Sequence, residues 1–320
     1  MNTACLSRRG FVRLGSAALL ASPLLKFAPA AFANSPRPRS RKKDYPLARK
    51  FVKLPDGTRV PALGMGTGAA YRTPHAEVEE ALRVGLSLGM RAIDTAENYG
   101  KGGDVERVVG RAITGQREQV YLITKVDPKN ATSRQAIRHS CERSLRNLGT
   151  DYIDLYLLHW PVENLSLVVN EFEALKAEGL IRNWGVSNFY LGDMERLYAI
   201  PGGKHCAVNQ VGYSLADRKI EAQGLVDWAA KRRLPLMAHS PLGRVGKLMQ
   251  SPIMGEVAAR HGVSTSAVAA AWTMRSGSVI SIPGSPRVKY ARENARAAEL
   301  TLDAADLAKL DQAFPVRPLS

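Results

Sequence analysis

Three cysteines in 320 residues are too few for a disulfide framework. Cys5 sits in a stretch that reads as a leader, Cys141 in a helical pattern and Cys206 just before a strand, so two buried free thiols are expected in the mature chain. Also missing is a Gly-x-Gly-x-x-Gly turn after the first strand, which argues against an open dinucleotide-binding sheet. No His, Asp and Glu spacing makes a metal centre, which argues against metal-assisted hydrolysis on the same fold. The apolar run at the start, Leu14 to Leu25, is too short and too rich in Gly, Ser and Ala to span a bilayer comfortably. Acidic residues are scarce, 29 against 45 basic ones, for a formal net charge of +16. The excess is uneven: residues 1–33 carry +4, residues 34–50 carry +6, and everything from Phe51 onward only +6. A mildly basic folded part makes nucleic acid a poor default partner.

What is present starts with an export pattern. Ser7-Arg8-Arg9-Gly10-Phe11-Val12-Arg13 carries twin arginines, and Ala31-Phe32-Ala33 supplies a small-x-small cleavage site with Asn34 as the mature start. An uncleaved anchor and a misassigned start are the competing readings. The expected partner of this leader is the twin-arginine export machinery, which would place the protein in a periplasm or outside the membrane. Pro36 to Lys43 is rich in Pro and Arg. The expected division is a leader over 1–33, a basic disordered linker over 34–50, and one folded domain over 51–320.

Within that domain the period of the apolar pattern switches repeatedly. A hairpin signal, Pro55-Asp56-Gly57 between alternating runs, comes first. Eight short strands follow, beginning near Leu63, Arg91, Val120, Ile153, Asn183, Ala207, Pro235 and Val279. Helix-period segments separate them, including single helices expected over 220–232 and 288–298. Continuous apolar strands mean burial on both faces. Eight units in this length predict a (β/α)8 barrel with an N-terminal hairpin.

In such a barrel the chemistry gathers at the C-terminal ends of the strands. Those positions hold Asp94, Tyr99, Lys125, His159, Ser187, Asn188, Gln210, His239, Ser240 and Ser285. A Lys inside the run Tyr121-Leu122-Ile123-Thr124 is costly unless paired, and Asp94 on the adjacent strand is the expected partner. A cation beside a phenol lowers its pKa, which would make Tyr99 a proton donor near neutral pH. His159 could orient a carbonyl oxygen. Each residue alone has a duller reading: a loop cap, a packed aromatic, a snorkelling lysine, a satisfied core histidine. Four of them on consecutive strand ends argue for a site.

The sequence resembles the aldo/keto reductase family from about Phe51 to Pro318. The resemblance rests on Ile93-Asp94-Thr95-Ala96-Glu97-Asn98-Tyr99-Gly100, Leu157-Leu158-His159-Trp160, Trp184-Gly185-Val186-Ser187-Asn188-Phe189, Asn209-Gln210-Val211-Gly212-Tyr213, Ser240-Pro241-Leu242-Gly243 and Ile282-Pro283-Gly284-Ser285. It implies NADP(H)-dependent reduction of aldehydes and ketones, with Asp94, Tyr99, Lys125 and His159 as the catalytic tetrad. It places Gly66, Thr67, Asp94, Ser187, Asn188 and Gln210 near the nicotinamide. His239 falls where a stacking Tyr is usual, and Ser240, Leu242 and Gly243 fall on the pyrophosphate loop. The family's 2′-phosphate Lys and Arg are Gly284 and Tyr290 here. Ser285, Arg287, Lys289, Arg292 and Asn294 lie nearby and could substitute, and NAD(H) stays open as a second cofactor. Trp160 joins Tyr99 and His159 on the substrate side. A Trp common after the first strand is Gly68, and little chain follows Ala313. A wide site for a small carbonyl substrate is therefore expected, similar to methylglyoxal-reductase-like bacterial members, in a monomer. The competing function is a cofactor-binding sensor barrel with little turnover.

Overall fold

The computed structural model describes Lys43, residues 45–243 and residues 246–318. The expected leader, Cys5 and most of the expected linker lie outside these residues. The first strands, β1 (Phe51–Lys53) and β2 (Arg59–Pro61), form the antiparallel hairpin, with Gly57 taking φ +87° in its turn. Then β3 (Gly64–Gly66), α1 (His75–Ser87), β4 (Ala92–Asp94), α2 (Asp104–Ile113), β5 (Tyr121–Val126), α3 (Arg134–Leu148), β6 (Ile153–Leu158), α4 (Leu165–Ala177), β7 (Ile181–Ser187) and α5 (Leu191–Tyr198) alternate. The chain continues with β8 (Asn209–Gly212), α6 (Lys219–Ala222), α7 (Leu225–Lys231), β9 (Leu236–His239), α8 (Pro252–Arg260), α9 (Thr265–Thr273), β10 (Val279–Ile282), α10 (Val288–Ala295) and α11 (Ala304–Ala313).

Strands β3 to β10 pair in parallel in sequence order. The first and last meet as well: Ser281 N donates to Ala62 O (2.7 Å) and Gly66 N to Pro283 O (3.0 Å), which closes the barrel. Gly66 sits at this seam because a Cβ there would lie 2.8 Å from the carbonyl oxygen of Ile282. The strands β4, β5 and β6 are buried along their whole length, which is why their sequences run apolar without alternation. Two helix starts carry serine caps: Ser133 accepts from Ala136 N (3.1 Å) and Ser264 from Ala267 N (3.2 Å).

Two expectations change. The helix expected over 220–232 is broken into α6 and α7, because Gly224 enters the left-handed region (φ +73°) and restarts the chain at Leu225. The helix expected over 288–298 ends at Ala295 and tightens into a 3-10 turn over Arg296–Ala298. Cys141 and Cys206 are buried free thiols, as expected.

The described part of the 34–50 stretch, Lys43 and residues 45–50, packs on the barrel. Lys43 Nζ lies 2.8 Å from Asp154 and 2.6 Å from Val120 O, with its side chain only 5% exposed. Asp154 also meets Arg117 (2.9 Å) and Arg182 (3.6 Å) and accepts from Leu122 N (3.0 Å). Tyr152 offers its ring face to the same three cations. These residues stand at the N-terminal ends of β5, β6 and β7, opposite the expected site. The cations hold Asp154 below the usual carboxylate range even though burial works the other way. Removing the carboxylate would strand a buried ammonium, so Asp154→Ala is expected to cost about 3–5 kcal/mol in a urea melt. Lys43→Ala should cost less, since Arg117 and Arg182 remain.

Candidate active site

Strand register sets the site. Asp94 pairs with Ile123, and Lys125 lies two residues further along the same strand, so Asp94 and Lys125 face the same side. The Lys125 side chain is fully buried, and its ammonium donates to Asp94 Oδ2 (2.8 Å), Thr95 O (2.8 Å) and Tyr99 OH (3.3 Å). Gln210 Nε2 donates to the other carboxylate oxygen, Asp94 Oδ1, at 2.7 Å. Asp94 belongs to the second barrel strand and Gln210 to the sixth, so this bond spans the lumen between opposite walls. Thr67 Oγ1 donates to Asp94 O (2.9 Å), tying the end of β3 to the same point.

His159 follows β6 and is 8% exposed. Its ring meets Tyr99 edge-on at 5.7 Å between centroids, and Trp160 lies beyond it, 48% exposed. Asn188, at φ +61°, donates through Nδ2 to His159 O (3.0 Å) and Ser187 Oγ (3.1 Å), and its Oδ1 lies 3.0 Å from His239 Nε2. Ser240 follows in the left-handed region, with its Oγ 3.2 Å from His239 Nδ1. Leu242 and Gly243 stand next in the chain, just before residues outside the described part.

The cluster after β10 divides. Asn294 Nδ2 donates to Ser285 Oγ (3.0 Å), and both residues are buried. Asn294 Oδ1 is buried with no partner among the described residues, an acceptor suited to an amine-bearing ligand. Around α10, Arg287 and Tyr290 fall on the Asn294 side, whereas Arg292 is two residues, roughly 200°, from Asn294. Arg292 therefore does not share their face. Arg287 lies 3.6 Å from Glu77, with both side chains more than half exposed.

Charge states follow from burial. Burial raises the Tyr99 phenol, Lys125 lowers it, and burial prevails, which reverses the expected downward shift. The phenol is thus protonated at neutral pH, with the cation already beside it. Burial works against the Lys125 charge, but Asp94 and Tyr99 more than offset it and raise its pKa. Burial raises the Asp94 carboxyl above its ordinary range, and Lys125 and Gln210 pull it back only in part. The charged pair is the arrangement in which both groups have their partners. Burial, then the Lys125 cation, drive His159 down to about 3, so its imidazole is neutral.

Two contributors escaped the sequence reading. Tyr71, 51% exposed in the loop after β3, lines a cleft of roughly 370 Å³ together with Asn98, Tyr99, Gly100, Lys101 and Asp104. An aromatic so soon after a strand end was the available signal. Asp127, just past β5, acts on His159 against the Lys125 cation. Nothing short of the loop geometry reveals that.

A buried Lys–Asp pair beside a protonated phenol and a neutral imidazole, at the mouth of a (β/α)8 barrel, makes an acid–base site. A profile of the Aldo/keto reductase family matches residues 62–314, and the chain belongs to that family. Methylglyoxal reductase YeaE of Escherichia coli (strain K12) is 42% identical over 277 residues, spanning 84% of this chain and 96% of the relative. Methylglyoxal reductase DkgB of Escherichia coli O157:H7 is 36% identical, spanning 77% and 90%. An aldo/keto reductase of Klebsiella pneumoniae, crystallised with NADP and acetate, superposes with a TM-score of 0.78 at 40% identity, covering 85% of this chain and 96% of that one.

Folding lowers the His159 pKa from 6.5 to about 3, so the unfolded chain takes up the extra proton first as pH falls. The stability carried by the neutral ring is complete above pH 6.5 and is lost on the way down to about 3. Urea melts of His159→Asn should show a flatter acid dependence across that window than wild type. Parallel curves would refute the assignment.

Proposed function

We propose that the chain is an NADP(H)-dependent carbonyl reductase for small aldehydes and ketones, α-oxoaldehydes such as methylglyoxal among them, with Tyr99 as general acid. The observation that carries the reading is the Lys125 ammonium shared between Asp94 and the Tyr99 hydroxyl in a buried pocket. Binding alone would not require it, so the geometry favours turnover over a sensor role. The methylglyoxal reductases among the relatives, and the NADP held by the Klebsiella enzyme, support the substrate class and the cofactor.

The residues fit a dinucleotide. Ser187, Asn188 and Gln210 would hold the nicotinamide end, with the His239 ring beside it. Ser240, Leu242 and Gly243 would take the pyrophosphate. Asn294, with its unpartnered Oδ1, and Ser285 would hold the adenosine end, and Arg287 on the same helix face is the cation for a 2′-phosphate. The bound cofactor supplies the hydride. The chain's own residues do the rest: His159 and Trp160 bound the substrate, the neutral imidazole orients the carbonyl oxygen, and Tyr99 gives that oxygen a proton. Lys125 then faces the phenolate that forms. With NADPH and methylglyoxal followed by absorbance, Tyr99→Phe is expected to lose about 10²–10⁴-fold in kcat while still binding NADPH. Full turnover by that variant would sink the acid assignment, and cofactor binding by wild type without turnover would favour the sensor.

The twin-arginine pattern supports an exported protein, loaded with cofactor before transport. Mass spectrometry of the protein from fractionated cells should then find a mature chain starting at Asn34 outside the cytoplasm; an intact Met1 in the cytoplasm would refute export.

A further inference from the structure

We propose that Glu97 is a positioning residue that locks the loop carrying Tyr99 onto the loop following β5, and so sets the spacing between the Tyr99 hydroxyl and Lys125. The inference rests on the reductase reading above for its effect on turnover, and on geometry alone for the clamp.

Glu97 lies two residues before Tyr99, yet its carboxylate points away from solvent, with only 4% of the side chain exposed. Oε1 accepts from Asp127 N (2.6 Å) and Asn130 Nδ2 (2.9 Å), and Oε2 accepts from the Arg143 guanidinium. All three donors belong to the connection after β5 and to α3. Arg143 is itself steadied by its bond to Ser140 Oγ (3.0 Å). The next residue repeats the tie: Asn98 Nδ2 donates to Asp127 Oδ2 (2.8 Å). Backbone pairing points the same way, since Thr95 N donates to Ile123 O (2.9 Å) and Glu97 N to Lys125 O (3.2 Å) beyond the end of β4. The Tyr99 loop is therefore laid along β5, the strand that carries Lys125, and pinned at its far end by an ion pair.

This matters because the Lys125–Tyr99 contact is 3.3 Å, at the long edge of a hydrogen bond. A loop free to drift outward would break it first, before it disturbed Lys125 and Asp94, which hold each other. The Glu97 carboxylate is taken up by Asp127 N, Asn130 and Arg143, so its loss should act on the chemical step and spare binding.

The test compares Glu97→Ala, Glu97→Gln and Arg143→Ala in the full chain. In Glu97→Ala, kcat should fall by about 10²-fold while KM for methylglyoxal and the Kd for NADPH, read by fluorescence, stay within about twofold. Glu97→Gln, whose amide oxygen can still accept from Asp127 N, should recover most of the rate. Arg143→Ala removes a half-exposed partner at the clamp's far end and should give a smaller loss in kcat alone. Hydrogen exchange over residues 97–101 should quicken in Glu97→Ala and Arg143→Ala, a readout that needs no turnover. Unchanged exchange would overturn the clamp. Quickened exchange with unchanged kcat, or with KM and Kd rising as kcat falls, would overturn its positioning role. If Glu97→Ala does not fold, Arg143→Ala decides by the same criteria. A wild type without turnover would overturn the reductase reading and leave the exchange result to judge the clamp.

Discussion

The constraint on which the rest depends is the ammonium of Lys125 buried inside a barrel wall. An unpaired charge there would be prohibitive, so the fold must deliver acceptors to it. It does so from three directions. Asp94 comes from the adjacent strand in register, Thr95 offers its carbonyl as β4 ends, and Tyr99 arrives through a loop laid back along β5. Gln210 completes the set from the opposite wall by taking the second oxygen of Asp94. A slip of one residue in either β4 or β5 would turn one partner out of the lumen and leave the other charged and alone. The pair thus ties strand register to chemistry.

The chain places a second buried ionic cluster at the other end of the barrel. Lys43, Arg117 and Arg182 gather on Asp154 and on the Tyr152 ring, with three cations for the one buried carboxylate. Tyr152 meets Glu118 through its hydroxyl, and the cluster seals strand ends. The two sites show how one fold separates duties. Charge at the N-terminal ends of strands holds the barrel together, and charge at the C-terminal ends is left adjustable by a loop.

Much of this was legible in the sequence because it is carried by period and position. Apolar runs announced β5 and β6, and a lysine set in such a run demanded an acid nearby. The ordered motifs from Ile93 to Ser285 then carried the family. What stayed hidden depends on distances between residues far apart in the chain. Lys43 read as part of a tether because its partner lies 111 residues away. Gly224 looked like a tolerable helix residue until its backbone turned left-handed. Arg292 looked equivalent to Arg287 until the turn of α10 put it on another face. Glu97 read as one more polar residue in a loop, because only the folded connection after β5 supplies its donors.

The direction of the Tyr99 shift is the most instructive reversal. A neighbouring cation suggests a phenol that ionises easily, but burial weighs more and keeps the proton in place. In the proposed reaction that would be the useful state for an acid that must wait for a carbonyl. A phenol ionised in advance would have nothing to give, and one without Lys125 would give its proton to form an unstabilised anion. Under that proposal burial and cation would act at different moments: the first would hold the proton before reaction, and the second would steady the phenolate after it leaves. His159, driven neutral by burial first and by the same cation second, would then be able to orient the oxygen without competing as an acid. Burial and one lysine cation thus act together on three neighbours, and the loop that carries Tyr99 decides how closely the phenol feels that cation.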